Sequence, residues 1–162
     1  MIEQPEKNQL SFHPELMVFD FDGVFTDNRV LVDEHGVESV ICNRSDGLAV
    51  DYLREKVPLL ILSTEANNVV ARRAEKLRIE YMHGLSHKRE TLIDWCHSRT
   101  IDLQKVVFLG NDINDLAAME VCGYSVAPSD AHPRVLEKVD YVLKRRGGEG
   151  VVREFCEIFL GM

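Results

Sequence analysis

The sequence lacks any long hydrophobic run, any excess of basic residues and any closely spaced pair of cysteines. Its apolar stretches fall short of the roughly 20 residues that a membrane-spanning helix needs, so we expect no membrane partner. A formal net charge of −8 leaves no basic stripe for a phosphate backbone, which argues against nucleic-acid binding. The cysteines are widely spaced, which favours reduced thiols of a cytoplasmic protein over a zinc site.

The length and composition predict one globular domain. The 162 residues are enough for a sizeable single core, and 45% hydrophobic with 28% charged residues is ordinary for such a domain. The polar N-terminus has no signal-peptide core, and no repeat or linker divides the chain. We assign residues 1–13 as a flexible lead-in and residues 14–162 as the domain.

The stretch from Leu16 to Asp27 carries the clearest chemical signal. It opens with four apolar residues, places Asp20 and Asp22 two positions apart, and breaks at Gly23. A short apolar run closed by a glycine predicts a buried strand, and open parallel sheets bind ligands at the carboxyl ends of their strands. Residues two apart on a regular strand share a face, so we expect both carboxylates at one spot, where Mg²⁺ would relieve their repulsion.

The remaining pattern alternates strands with helices, which predicts a doubly wound parallel sheet of the Rossmann-like α/β class. Two β-prone runs within residues 30–41 predict a hairpin that projects as a flap over the site. An N-cap at residues 45–47 is expected to start the first helix. The predicted helices are 48–55, 66–77, 87–98, 116–121, 133–138 and a final one ending at 160, and the later strands are 59–62, 79–82, 106–109, 124–126 and 141–143.

Several polar residues lie at the predicted strand ends or at a helix start, and they are expected to converge on one edge of the sheet. These residues are Asp20, Asp22, Ser63, Lys88, Asp112 and Asp115. A carboxylate nucleophile, cation-binding acids, a hydroxyl and a lysine are the parts of phosphoryl transfer through an aspartyl phosphate. Taken singly, each has a plainer interpretation: the two later acids as helix N-terminal acids, the serine as a helix cap and the lysine as a surface residue. Their joint order along the chain favours the catalytic interpretation.

This set of motifs resembles the haloacid dehalogenase superfamily of phosphohydrolases over nearly the whole chain from Leu16. Residues 20–27 look like its first motif, Ser63 its second, Lys88 its third and residues 110–115 its fourth. The resemblance implies that Asp20 is the nucleophile and Asp22 the general acid and base. It also implies Mg²⁺ bound by Asp20, the main-chain carbonyl of Asp22, and Asp112. Asp115 would support the metal shell and Lys88.

The sequence leaves no room for a cap domain, and its tail at residues 146–154 is similar to capless phosphatases of 3-deoxy sugar acid phosphates. Members of that group assemble as homotetramers in which neighbours cover each other's sites. At the second motif this chain has Ser63-Thr64-Glu65, whereas the pattern of octulosonate 8-phosphate phosphatases at this place is Thr-Gly-Arg. The glutamate, together with Lys76, looks like nononate 9-phosphate phosphatases of sialic-acid-type biosynthesis. The expected substrate contacts are Gly23, Thr64, Glu65, Lys76 and Arg146.

A helix over residues 66–77 would put Glu65 and Lys76 on one face, about three turns apart. We therefore expect Glu65 to contact sugar hydroxyls and Lys76 to meet a carboxylate in a neighbour's site. An ordinary charged helix face is the alternative for both.

Three functions compete. The first is a Mg²⁺-dependent phosphatase of a 2-keto-3-deoxy sugar acid phosphate, of the nononate or the octulosonate type. The second is a non-catalytic oligomerisation domain like those that end some acylneuraminate cytidylyltransferases, but intact Asp20 and Asp22 argue against it. The third, a phospho-accepting receiver domain, requires an acid after the third strand, where this chain has His83-Gly84.

Overall fold

The computed structural model describes residues 10–162, which form an α/β fold around a six-stranded parallel sheet. The strand order is β5-β4-β1-β6-β7-β8, and a separate two-stranded hairpin pairs β2 with β3. The strands are β1 Leu16–Phe19, β2 Leu31–Val32, β3 Glu38–Ser39, β4 Leu59–Leu62, β5 Glu80–Met82, β6 Val106–Leu109, β7 Tyr124–Ala127 and β8 Tyr141–Val142. The helices are α1 Arg44–Arg54, α2 Val69–Leu77, α3 Lys88–Ser98, α4 Ile113–Met119, α5 Pro133–Leu136 and α6 Val151–Phe159, with a 3₁₀ turn at Leu103–Lys105.

Strand β1 lies at the centre of the sheet because its four residues are apolar on both faces and fully buried. It pairs in parallel with β4 on one side and β6 on the other. Its alternating side chains divide the core in two, with Met17 and Phe19 in one cluster and Leu16 and Val18 in the other. The strand order reverses at β1, and this reversal creates a crevice at the carboxyl ends of the central strands.

Each core cluster is covered by its own layer of helices. Apolar residues of α1, α2 and α6 pack with the cluster of Met17 and Phe19. Apolar residues of α3, α4 and α5 pack with the cluster of Leu16 and Val18. The predicted doubly wound sheet without a cap domain is therefore confirmed, since only the β2–β3 hairpin and α1 lie between β1 and β4.

The predicted hairpin is present, although its paired strands are only two residues long. It pairs Leu31 with Ser39 and Val32 with Glu38, and a bridge between Thr26 and Cys42 closes its base. Its apolar side chains are exposed, with Leu31 at 72%. The hairpin therefore projects from the domain as a flap.

Three helix starts differ from the sequence predictions by three residues or more. Helix α1 begins at Arg44, because Asn43 and not residues 45–47 supplies the N-cap by accepting a hydrogen bond from Ser45 N at 2.9 Å. Helix α2 begins only at Val69, because the preceding residues form side-chain-capped turns after β4. Helix α4 begins at Ile113, three residues early, because Asp112 and Asp115 form a capping box.

The N-terminal prediction can be compared with the structure only from residue 10 onward, since residues 1–9 lie outside the described part. Leu10 and Phe12, inside the predicted lead-in, pack against the core. Within residues 10–162, no helix has the length and apolar character needed to cross a membrane.

Asp46 is buried inside the fold, although its position in the sequence predicted an N-cap residue. Its Oδ1 accepts a hydrogen bond from Arg153 N at 3.0 Å and so caps the start of α6 from α1. Its Oδ2 has no hydrogen-bond partner within the described chain. Burial raises the pKa of Asp46 to about 6, outweighing the main-chain hydrogen bonds that favour its charge.

We predict that Asp46→Asn changes how stability depends on pH. The folded protein keeps the Asp46 proton up to about pH 6, whereas the unfolded chain releases it near the ordinary value of 3.8. The contribution of Asp46 to the free energy of unfolding therefore falls as pH rises through this window, by at most about 1.4 kcal/mol per pH unit. Urea unfolding from pH 4 to 7 should show wild type losing stability relative to Asp46→Asn. The exposed Asp51→Asn, on the same helix, is the control, and parallel wild-type and Asp46→Asn profiles would contradict the prediction.

Candidate active site

Asp20 lies directly after β1 and is tied to a buried lysine. Its Oδ1 accepts hydrogen bonds from Lys88 Nζ and from Phe21 N, each at 2.7 Å. The side chains of Asp20 and Lys88 are only 7% and 1% exposed. Burial and the nearby charge of Asp115 raise the pKa of Asp20 to about 8. A carboxylate in this position needs cations beside it to act as a nucleophile.

Lys88 joins two acids that come from different strands. Its Nζ donates to Asp115 Oδ1 at 2.7 Å as well as to Asp20. Burial disfavours the charged lysine, but the two carboxylates outweigh that cost and raise the pKa of Lys88. Lys88 is therefore a buried cation and not the surface residue that its position in the sequence also allowed.

Asp22 follows in a turn and not on a strand. The main chain bends between Phe21 and Phe25, where Phe25 N donates to Phe21 O at 2.9 Å. The strand alternation used to place Asp20 beside Asp22 therefore does not apply. Asp22 Oδ1 instead accepts a hydrogen bond from Thr26 Oγ1 at 3.3 Å. Burial raises the pKa of Asp22 although the Thr26 hydrogen bond opposes the shift, and such a carboxyl is suited to donate a proton.

The loop after β4 contributes hydroxyls and a carboxylate. Ser63 is buried, and its Oγ accepts a hydrogen bond from Glu65 N at 3.1 Å. Thr64 Oγ1 accepts one from Asn114 Nδ2 at 3.2 Å, which links this loop to α4. Glu65 Oε1 accepts one from Asn67 N at 2.7 Å and so lies before α2, not on it. The expected shared helical face of Glu65 and Lys76 is therefore wrong.

The loop after β6 carries two acids that make different contacts. Asp115 is fully buried, and its Oδ2 accepts hydrogen bonds from the main-chain N–H groups of Asn111 and Asp112, at 3.0 and 3.2 Å. Asp112 caps α4 by accepting from Ile113 N at 2.7 Å and also lines the cavity. The helix-capping interpretation is therefore confirmed for both acids, while their catalytic and metal-binding roles stay predictions.

Asn111, which the sequence analysis did not select, meets the oxygens beside the nucleophile. Its Oδ1 faces the main-chain oxygen of Asp22 at 2.9 Å and Asp20 Oδ2 at 3.0 Å, while the reversed amide would donate hydrogen bonds to both. The reversed amide suits the metal-free site, whereas the orientation with Oδ1 on this side brings three oxygens together and is favourable only around a cation. The arrangement therefore fits a divalent ion that prefers oxygen ligands. The sequence signal that could have selected Asn111 was its position directly after Gly110 in the fourth motif.

This oxygen set does not depend on a cluster of acids. Residues 10–162 contain no group of three His, Cys, Asp or Glu side chains placed to hold a metal ion. One carboxylate, one main-chain carbonyl and one amide can provide the three ligands instead. Gly23 permits the arrangement, because its φ is +82° and a Cβ there would lie 1.9 Å from Asn111 Nδ2.

A cavity of about 290 Å³ opens above these groups, between the strand ends and the hairpin. Its charged lining residues are Asp20, Asp22, Arg29, Glu38, Glu65 and Asp112. Glu38 of β3 also accepts a hydrogen bond from Asn67 Nδ2 at 3.1 Å, which ties the hairpin to the loop after β4. The flap is therefore part of the cavity wall.

Three predicted substrate contacts do not line this cavity in the same chain. The N–H of Gly23 donates to Thr26 Oγ1 at 3.2 Å. Arg146 pairs with Asp130 at 3.5 Å. Lys76 lines an adjoining groove between the hairpin, α1 and α2, which shares three lining residues with the cavity. Thr64 and Glu65, in contrast, both line the cavity.

Comparison with known proteins agrees with this geometry. Residues 48–155 match the family described as haloacid dehalogenase-like hydrolase. The chain is 32% identical over 147 residues to the 3-deoxy-D-manno-octulosonate 8-phosphate phosphatase KdsC of Escherichia coli K12, covering 90% of this chain and 78% of that protein.

Solved structures give the same result. A crystal structure from Streptomyces avermitilis, assigned to the HAD family of hydrolases, superposes with a TM-score of 0.90 at 40% identity over 97% of this chain and 88% of that one. The octulosonate phosphatase of Moraxella catarrhalis, solved with magnesium, phosphate and KDO, superposes with a TM-score of 0.88 at 28% identity over 92% and 87%. The chain belongs to the haloacid dehalogenase-like hydrolases.

Proposed function

We propose that this protein is a divalent-metal-dependent phosphatase that hydrolyses a 2-keto-3-deoxy sugar acid phosphate through an aspartyl phosphate. The carrying observation is the Asp20 carboxylate, held at 2.7 Å from Lys88 at a strand end and bordering the same cavity as Asp22. The octulosonate phosphatases among its relatives support the substrate class.

In the proposed reaction, a carboxylate oxygen of Asp20 attacks phosphorus and the bond from phosphorus to the sugar oxygen breaks. Asp22, whose pKa burial raises, donates the proton that the leaving alkoxide requires. Asp22 then takes a proton from water, the water oxygen bonds to phosphorus, and the Asp20 carboxylate and inorganic phosphate are released. Lys88, positioned by Asp115, offsets negative charge on the transferring group, and Ser63 and Thr64 hold its oxygens.

A bound Mg²⁺ would neutralise charge between the substrate phosphate and Asp20. We propose Asp20, the main-chain carbonyl of Asp22 and Asn111 Oδ1 as its protein ligands, because these oxygens lie within 3.0 Å of Asn111. Asp112, the ligand that the motif resemblance implied, has its carboxylate turned to the α4 N-terminus. The role of Asp112 as a direct metal ligand stays a prediction, which a Mg²⁺ titration of variants can test.

The choice of sugar is proposed from the loop after β4. Glu65 lines the cavity, where the octulosonate pattern has an arginine, so we propose that Glu65 contacts sugar hydroxyls and favours a nononate-type substrate. An octulosonate substrate is the nearest alternative. A non-catalytic oligomerisation role is not favoured, since Lys88 bonds to both Asp20 and Asp115 and Asp22 borders the same cavity as Asp20.

We propose a homotetramer in the cytoplasm. The hairpin exposes Leu31, Val32 and Val37 by more than half, which suits burial against a neighbouring subunit. Lys76 lies in the groove beside that hairpin, from which it would reach a neighbour's site. The four cysteines are free thiols, as a reducing compartment requires.

Asp20→Asn should abolish turnover, because an amide cannot attack phosphorus as a carboxylate does. The measurement is phosphate release from sugar acid phosphates with Mg²⁺ or with EDTA. We expect wild-type activity only with metal and a loss of at least about 1,000-fold in kcat for the variant, as for other nucleophile removals. Asp51→Asn is the matched control for the change in charge. Comparable turnover by Asp20→Asn would refute the assigned nucleophile.

The metal ligands can be separated without using activity. Isothermal titration with Mg²⁺ should show that Asn111→Leu, which removes a ligand oxygen while keeping its approximate size, binds at least about tenfold more weakly than wild type. Asp112→Asn should bind less than about threefold more weakly, because its carboxylate is turned to α4. If Asp112→Asn weakens Mg²⁺ binding more than Asn111→Leu does, Asp112 and not Asn111 is the third protein ligand.

Substrate preference should follow the loop after β4. Glu65→Arg is expected to shift relative kcat/KM from nononate 9-phosphate toward octulosonate 8-phosphate, because it restores the arginine of that pattern. Lys76→Ala should lower kcat/KM for both acids in the assembled enzyme. Unchanged ratios across the sugar acid phosphate panel in Glu65→Arg would remove the basis for the nononate assignment.

A further inference from the structure

The cavity has a charge imbalance that the catalytic residues do not correct. Five carboxylates border it, and Arg29 is the one cationic side chain that borders it within residues 10–162. Lys88 lies beneath Asp20, and its ammonium is already shared by two acids. A second anionic group on a bound substrate would therefore meet repulsion everywhere in this wall except at Arg29.

The chain holds Arg29 in place through the acid two residues before it. Arg29 Nε donates to Asp27 Oδ2 at 2.8 Å, and one Nη lies 2.6 Å from the same oxygen. The Arg29 main-chain N–H donates to Asp27 Oδ1 at 3.1 Å. Both oxygens of the Asp27 carboxylate therefore bind Arg29 and orient its side chain.

The turn that presents Arg29 is connected to the general acid. Asn28 adopts a left-handed φ of 65°, which an asparagine tolerates better than most residues. Asn28 N donates to Thr26 Oγ1 at 3.1 Å, and that hydroxyl donates to Asp22. Thr26 therefore couples the position of Arg29 to that of the carboxyl that acts on the leaving group.

The guanidinium retains capacity for a ligand. It has five N–H groups in a planar fork, and Asp27 uses those along one edge. The opposite edge can bind a second carboxylate through two parallel hydrogen bonds. The side chain is 85% exposed, so it can reach over the cavity mouth without a large desolvation cost.

We propose that Arg29, oriented by Asp27, binds the carboxylate of the substrate and thereby selects sugar acid phosphates over neutral sugar phosphates. This inference rests on the proposed function, since it names the group in this chain that recognises the acid end of the substrate. Its role differs from that of Lys76, which lines the adjoining groove and, as proposed above, would act from a neighbouring subunit. Arg29 is a specificity residue and takes no part in bond making at phosphorus.

The experiment compares two substrates that carry a carboxylate with one that lacks it. Octulosonate 8-phosphate and nononate 9-phosphate are the acids, and p-nitrophenyl phosphate is the reference. Arg29→Ala should raise KM for the acids by about 3- to 10-fold with kcat changed less than about twofold, because the pair forms at an exposed cavity mouth. Its kcat/KM for p-nitrophenyl phosphate should stay within about twofold of wild type.

Three further variants sharpen the result. Arg29→Lys should lose less than Arg29→Ala, because it keeps the charge but not the bidentate fork. Asp27→Asn should raise KM for the acids only, because it loosens the arginine. The exposed Arg134→Ala, away from the cavity, is the matched control and should behave as wild type.

The outcomes separate this inference from the proposed function. An unchanged KM for the acids in Arg29→Ala, or an equal loss on p-nitrophenyl phosphate, overturns the assignment of Arg29 while leaving the phosphatase intact. Failure of the wild type to hydrolyse any sugar acid phosphate, while it still hydrolyses p-nitrophenyl phosphate, overturns the proposed substrate class itself.

Discussion

The site depends on one buried ammonium shared by two carboxylates. Lys88 Nζ lies 2.7 Å from Asp20 and 2.7 Å from Asp115, and all three side chains are almost fully buried. Breaking such a pair by removing one partner leaves an uncompensated buried charge, which is strongly destabilising. The sheet brings the three together because β1 and β6 are adjacent parallel strands and α3 begins near their carboxyl ends. The fold and the chemistry therefore constrain each other at this point.

Beside this cation the cavity is strongly acidic, and this charge is the physical basis of the proposed selectivity. A phosphate can approach Asp20 only when a metal and Lys88 offset the surrounding negative charge. The same acids would repel the far end of an anionic substrate, and Arg29 is the cation at this wall that we propose to meet it. The proposed metal dependence and the proposed preference for a sugar acid thus follow from one charge distribution.

Most of the fold, and the convergence of the candidate catalytic residues on one edge of the sheet, could be predicted from the sequence. Apolar strands such as Leu16–Phe19 and Val106–Leu109 have clear patterns, and polar residues at strand ends follow from parallel-sheet geometry. The start of α2 could not be predicted, because side-chain-capped turns at Glu65 and Asn67 compete with the helix. Asn111 and Arg29 were missed because their importance comes from contacts across loops, which sequence spacing does not encode.

The central claim is that Asp20 itself carries the phosphoryl group during turnover. The most direct measurement is rapid acid quenching of the Mg²⁺-loaded enzyme with sugar acid phosphate, followed by borohydride reduction and mass spectrometry of the peptide that contains residue 20. The account predicts reduction of a phosphorylated Asp20 to homoserine in wild type and no such product without substrate. Phosphate found on another residue, or turnover with no modification at residue 20 at any quench time, would contradict it.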